Sequence, residues 1–306
     1  MDFQARMLKG LLLGFFITSF LSGPLVAQEE GDEGLSLVPT EIPLEVHYID
    51  KHLETLDIST VEDILFPYEP LSISLKGQNV SNPYGGGSVN WIAMKAFHDG
   101  EWIYFQFAWA DNTRDEKVIK HEQHRDAVAI LFPLEEFSED SIFSPRMGDL
   151  DKPVNIWHWK ADWEEAFKGA GSVNQLEAQY PDAALDEQTE RIFQELDRSA
   201  GGWGAGNLLS APSRESSVES LNAAKFGTLT SQEHQDVRGH AVWSRGRWTV
   251  VMTRKLSTLH VDDTQMFPGQ KSYFSLAVWN GSAGDLDGQK SVSDRWHPLE
   301  IETTTN

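Results

Sequence analysis

The sequence predicts an all-β chain: an immunoglobulin-like β-sandwich with long loops and a short helical insertion. Three observations carry this: apolar residues recurring at every second position over short runs, turn-forming pairs between those runs, and one stretch in which the period lengthens. Successive side chains of a strand point to opposite faces, so a two-residue period marks a sheet with one face buried.

From the beginning of the chain, residues 1–27 read as a secretory leader. Arg6 and Lys9 precede the apolar run Leu11 to Ile17, and Ala27 stands where a signal peptidase would cut before Gln28-Glu29-Glu30. The run falls short of the ~20 apolar residues of a membrane-spanning helix. The expectation is a cleaved signal peptide, a periplasmic location and no direct membrane span in the mature chain. Residues 28–40 are acidic and aperiodic, which predicts a flexible tail, and 41–306 are expected to form one domain.

Within that domain Leu44, Val46 and Tyr48 alternate with polar neighbours, as do Leu71, Ile73 and Leu75. Val89 to Phe97 and Trp102 to Trp109 flank His98-Asp99-Gly100-Glu101, the turn chemistry of a tight hairpin. Asp126 to Phe132 repeats the alternation and stops at Pro133. A second hairpin is expected from Val237 to Thr253 around Ser244-Arg245-Gly246-Arg247, followed by strands at Tyr273 to Trp279 and Pro298 to Ile301. Between Trp163 and Ser216 the period changes, and Leu185, Ile192, Phe193 and Leu196 would line one face of an inserted helix. Sandwich loops gather at the ends of the sheets, so function is expected there.

Composition narrows the chemistry. The net charge of −22 becomes −23 once the leader's own +1 (Asp2, Arg6, Lys9) is removed. Such a surface disfavours nucleic acid and anionic lipid, both of which need Lys and Arg to replace counterions. With no cysteine, disulfides, thiolate metal sites, Cys-held iron–sulfur clusters and covalently attached haem are excluded. Eleven Trp, sixteen Phe and six Tyr fill either a large core or a pocket for a flat ligand.

Several local patterns carry no chemistry. His121-Glu122-Gln123-His124 has one residue between Glu and the second His where a zinc hydrolase helix needs two. Asp149 with Asp151, and Asp285 with Asp287, are explained by turn chemistry, since the bidentate Glu of a calcium loop does not follow Asp285. Gly201-Gly202-Trp203-Gly204 lacks the strand and helix of a nucleotide fingerprint. Asn79-Val80-Ser81 and Asn280-Gly281-Ser282 are chance glycosylation triplets.

Two long stretches are richer than a plain sandwich requires: Phe143 to Asp149 running into Pro153 to Trp163, and Leu276 to Ser282 running into Gly288 to Ser293. With Asp126 to Pro133, Gly202-Trp203-Gly204 and Gly246 to Val251, they resemble, in order, the haem b-binding gamma subunits of the type II dimethyl sulfoxide reductase family. That group includes the gamma-type subunits of ethylbenzene and dimethyl sulfide dehydrogenases, chlorate and selenate reductases, and nitrite oxidoreductase. The matches spread from about Trp91 to Ile301, and are less clear before Trp91 and over Glu164 to Arg198.

The resemblance implies one haem b per chain, with the iron held by Met147 of Pro145-Arg146-Met147-Gly148 and Lys290 of Gly288-Gln289-Lys290-Ser291. A thioether favours ferrous iron, and an amine ligates only when neutral, so its pKa must fall from about 10.4. Asn155, Trp157 and Trp159 are expected as pocket walls, with Trp203 against the haem edge. His158 faces the other way, as a packed side chain or a propionate contact, and Lys255 and Met94 are reserve ligands. The implied role is a non-catalytic electron relay between the iron–sulfur subunit of a molybdenum oxidoreductase, nitrite oxidoreductase included, and a soluble cytochrome c. A free-standing exported cytochrome b domain keeps the haem without those partners. An exported carbohydrate-binding β-sandwich with exposed Trp is the alternative from another class.

Overall fold

The computed structural model describes residues 42–79, 85–118, 122–135, 144–167 and 216–304. The leader, the acidic tail, Trp203, His121 and the helix expected around Leu185 to Leu196 lie outside the described residues. In chain order the elements are β1 (Leu44–Tyr48), α1 (Ile58–Leu65), β2 (Leu71–Ser74), β3 (Lys76–Gly77), β4 (Trp91–His98), β5 (Trp102–Ala110), β6 (Ala127–Pro133), β7 (Val154–Lys160) and α2 (Ala161–Phe167). They continue with β8 (Val218–Ala223), β9 (Thr230–Ser231), β10 (Arg238–Trp243), β11 (Arg247–Lys255), β12 (Lys271–Trp279), β13 (Ser291–Val292) and β14 (His297–Ile301).

The strands form a sandwich. Sheet A runs β10-β11-β5-β4-β1-β14-β12, and sheet B runs β12-β6-β7-β8-β9 with β13 and β3 on its other flank. β12 serves both: Lys271 to Phe274 pair with β14, and Ser275 to Trp279 pair with β6. Neighbours are antiparallel except for β1, which lies parallel to both β14 and β4. The β-sandwich expected from the sequence is what folds; those two parallel pairings are not specified by alternation.

Both predicted hairpin turns form by the chemistry read from their residues. At the first, the Glu101 and Trp102 amides donate to the Asp99 carboxylate at 2.9 and 2.7 Å. At the second, Arg245 and Gly246 both sit at positive φ, 53° and 74°, the backbone that matches strand twist in a two-residue turn. The α1 helix, unforeseen in the sequence, begins at Asp57, whose carboxylate caps it by accepting from the Thr60 amide at 2.9 Å.

Three apolar clusters organise the interior. The largest lies between the sheets, where Phe105 and Trp109 of β5 and Trp248 of β11 meet Phe132 of β6 and Trp157 and Trp159 of β7. A second lies on the outer face of sheet A, where Ile58, Val61 and Leu65 of α1 cover Phe97, Tyr104 and Val251. The third lies on the outer face of sheet B. Among the described residues no helix is long and apolar enough to cross a membrane.

Candidate functional site

Strand alternation gives sheet B two apolar faces. Val128, Ile130 and Phe132 of β6 point into the sandwich, whereas Ala127, Ala129 and Leu131 point outward. Ile156 of β7, Leu221 of β8 and Trp279 of β12 join the outward set. The outer face of an antiparallel sheet is usually polar because it meets water. Here it floors a cavity of about 640 Å³, largely apolar in its lining and within the ~300–1,000 Å³ of sites that hold organic ligands. Ala127 and Ala129 of β6 and Ala277 of the adjacent β12 line it, and their short side chains give it depth.

Loops far apart in sequence frame the cavity. Pro145 to Met147 line it, with Met147 packed on the floor cluster. Leu286 to Gly288 and Lys290 also line it. The Lys290 ammonium lies 4.6 Å from the centre of the Trp279 ring, and the His158 ring stacks on the same indole at 4.7 Å. Met147 and Lys290, the two ligands implied by the resemblance, therefore border one cavity.

Its electrostatics follow from burial. Burial pushes Lys290 down from 10.5 to about 8, opposed by the Asp287 carboxylate. Burial and the cations Lys160, Arg125 and Lys290 hold His158 well below its usual 6.5, and its Nε2 is buried with no hydrogen-bond partner. Lys160 is lowered chiefly by burial and supported by Glu219.

Glycines fix both loops. Gly148, after Met147, has φ +69°, and a Cβ there would sit 2.5 Å from the Lys152 carbonyl. The turn it permits is closed by Asp149 and Lys152, whose amides each donate to the other's carbonyl. Gly148→Ala is expected to cost about 1–3 kcal/mol, read as a lower midpoint in thermal unfolding. The other loop is held from outside: Gly86 and Gly87, between β3 and β4, press against Gln289 and Lys290, where an added Cβ would lie 2.5 and 2.8 Å from backbone atoms. Asp285 ties the pieces, accepting from the Gly87 amide at 2.8 Å and the Asn280 amide at 3.1 Å. The sequence reading passed over Gly85-Gly86-Gly87, although three consecutive glycines signal close backbone approach.

Three expected pocket walls are corrected. Asn155, Trp157 and Trp159 lie on the face of β7 that packs between the sheets. The Asn155 side-chain Oδ1 there accepts from Trp157 Nε1 at 3.2 Å and from Arg254 Nη1 and the Thr264 amide at 3.3 Å. The alternation was right and the face was reversed: the bulky indoles fill the inter-sheet core, and Ile156, His158 and Lys160 meet the cavity. The reserve ligands are elsewhere, Met94 in the core and Lys255 on the surface, 2.7 Å from Glu101. His124 lines the cavity. Among the described residues no three His, Asp or Glu gather to hold a metal ion.

The family model for ethylbenzene dehydrogenase matches residues 63–291, which include Met147, Lys290 and most of the cavity lining. The chain belongs to this family. Its relatives include a Haloferax mediterranei protein whose given name is that of a respiratory nitrate reductase heme subunit, 25% identical over 210 residues, 69% of this chain and 56% of the relative. The dimethylsulfide dehydrogenase subunit gamma of Rhodovulum sulfidophilum is 29% identical over 213 residues, 67% of this chain and 58% of the relative. The chlorate reductase subunit gamma of Ideonella dechloratans is 22% identical over 217 residues, 71% and 67% respectively. The matched region is thus a little over half the length of the first two. A family 9 carbohydrate-binding module of Caldicellulosiruptor kristjanssonii, solved with glucose, superposes with a TM-score of 0.41 at 10% identity, covering 87% of this chain and 98% of the module.

Proposed function

We propose that this chain is a non-catalytic electron-transfer subunit that holds one haem b in the cavity on sheet B, with Met147 and Lys290 as axial ligands of the iron. The observation that carries the reading is that these two residues, on separate loops, border one largely apolar cavity. The residues suit the group: a flat hydrophobic macrocycle needs an apolar floor, and a thioether and an amine are both competent iron donors. Haem b supplies a one-electron store at its iron. The chain's part would be to fix the donors, ease the deprotonation of Lys290 by burial and exclude water.

Family membership and the names of the relatives support a subunit role. The finer proposal is a relay between an iron–sulfur subunit, served by a molybdenum catalytic subunit, and an external soluble cytochrome c; nitrite oxidoreductase is one such setting. Reading residues 1–27 as a cleaved leader supports a periplasmic location. Sugar binding by exposed indoles is less well supported, because Trp91 alone of the described tryptophans is exposed.

Purified protein beginning at Gln28 and titrated with haemin is expected to develop a strong visible band at equimolar haem. A colourless product sinks the proposal. The Lys290 ammonium must lose its proton to ligate, so haem affinity should rise with pH up to about 8 and level off above it. Titrations on either side of that value check the sign.

A further inference from the structure

The cavity floor carries a buried ion pair that axial ligation does not use. Lys160 on β7 and Glu219 on β8 project from the outer face of sheet B, with side chains 7% and 3% exposed, and form a salt bridge. Both line the cavity. Each has a second partner: the Ser231 hydroxyl donates to Glu219, and the Lys160 ammonium lies 4.1 Å from the centre of the Trp163 ring. Stability does not account for them, because an apolar pair of the same volume serves a core as well or better than a buried ion pair. The neighbouring Arg125 is already committed to Asp162 at 2.7 Å.

We propose that the Lys160–Glu219 pair sets the reduction potential of the redox group in the cavity by holding two opposite charges in balance beneath it. The inference rests on the haem reading above. One-electron reduction removes a unit of positive charge from the centre. An uncompensated Glu219 carboxylate would therefore favour the oxidised state, and an uncompensated Lys160 ammonium the reduced one. In a water-poor cavity a single charge acts at several ångströms far more strongly than in water. Paired, the two largely cancel at a distance while each stays solvated by the other.

E219Q keeps the shape and hydrogen-bonding capacity of Glu219 and unmasks Lys160; K160M keeps length and unmasks Glu219. The haem-loaded full chain and its variants are titrated spectroelectrochemically from about pH 6 to about pH 9, so that the orphaned partner is ionised over part of the range. E219Q is expected to shift the reduction equilibrium at least tenfold toward the reduced form, about 59 mV for one electron. K160M shifts it as far the other way, and the E219Q/K160M double variant returns to within about threefold of the parent. Single variants that hold haem yet stay within about twofold of the parent at every pH, or shift in the same direction, overturn the proposal. Should K160M fail to fold, E219Q alone decides. A parent chain without a haem band refutes the haem reading instead, so the two failures are distinguishable.

Discussion

Replacing Lys290 or Met147 by Ala is expected to lower haem occupancy at least about tenfold, since removing even an outer partner of a metal ligand costs ~10–100-fold in affinity. Each variant should also change the visible spectrum, because the iron would lose one of its two proposed donors. Lys255→Ala is the control: its ammonium pairs with Glu101 at the surface, and its loss should leave spectrum and occupancy unchanged. Should both ligand variants keep the parental spectrum, the cavity uses different donors, and His158 with its unpartnered Nε2 becomes the first to examine. Lys290 lies over Trp279, and the Asp287 carboxylate that acts on it is exposed, so its removal strands no buried charge. The loss is expected in haem binding and not in folding.

The second large effect concerns stability. Arg254, on β11, is fully buried, with its Nη1 2.9 Å from Asp263 and its guanidinium 4.9 Å from the centre of the Trp157 ring. It also donates to Asn155 and to the Thr264 carbonyl, so one side chain ties β11, β7 and the loop after β11. Arg254→Ala strands the Asp263 carboxylate in the interior and should cost about 3–5 kcal/mol. For a domain of this size that is a fall in Tm on the order of 10 °C, read by circular dichroism. Arg254→Met with Asp263→Leu removes both charges and should recover most of the loss. A double variant no more stable than the single would show that the hydrogen bonds to Asn155 and Thr264, rather than the charge pairing, hold the site.

Most of the sheet was legible because half-buried strands write their period into the sequence. Ile103, Phe105, Phe107 and Trp109 on β5 need only the two-residue rule. The short pieces were harder: α1 rests on one capping aspartate, and β13 and β3 are two-residue strands that exist only through pairing with each other and with β12. At the site, Met147 and Lys290 came from resemblance, since neither residue type nor spacing singles out a ligand. The face error at Asn155, Trp157 and Trp159 has a physical source. Aromatic content looks alike in a pocket wall and in a core, and only the partner sheet decides between them. A better signal lay in β6, where Ala127 and Ala129 alternate with Val128, Ile130 and Phe132. Large residues mark the side that another sheet must fill, and small ones the side left open for a guest.

The position of β1 has a consequence for biogenesis. Among the described residues it is the first strand, and it lies between β4 and β14, the last of them. Until β14 is in place, β1 has one satisfied flank, against β4, and one bare one. Assembly of this part of sheet A must then await His297–Ile301, whose strand completes the pairing of β1. Truncation past Leu44 would leave a slot between two interior strands that a stray peptide or a neighbouring copy could invade.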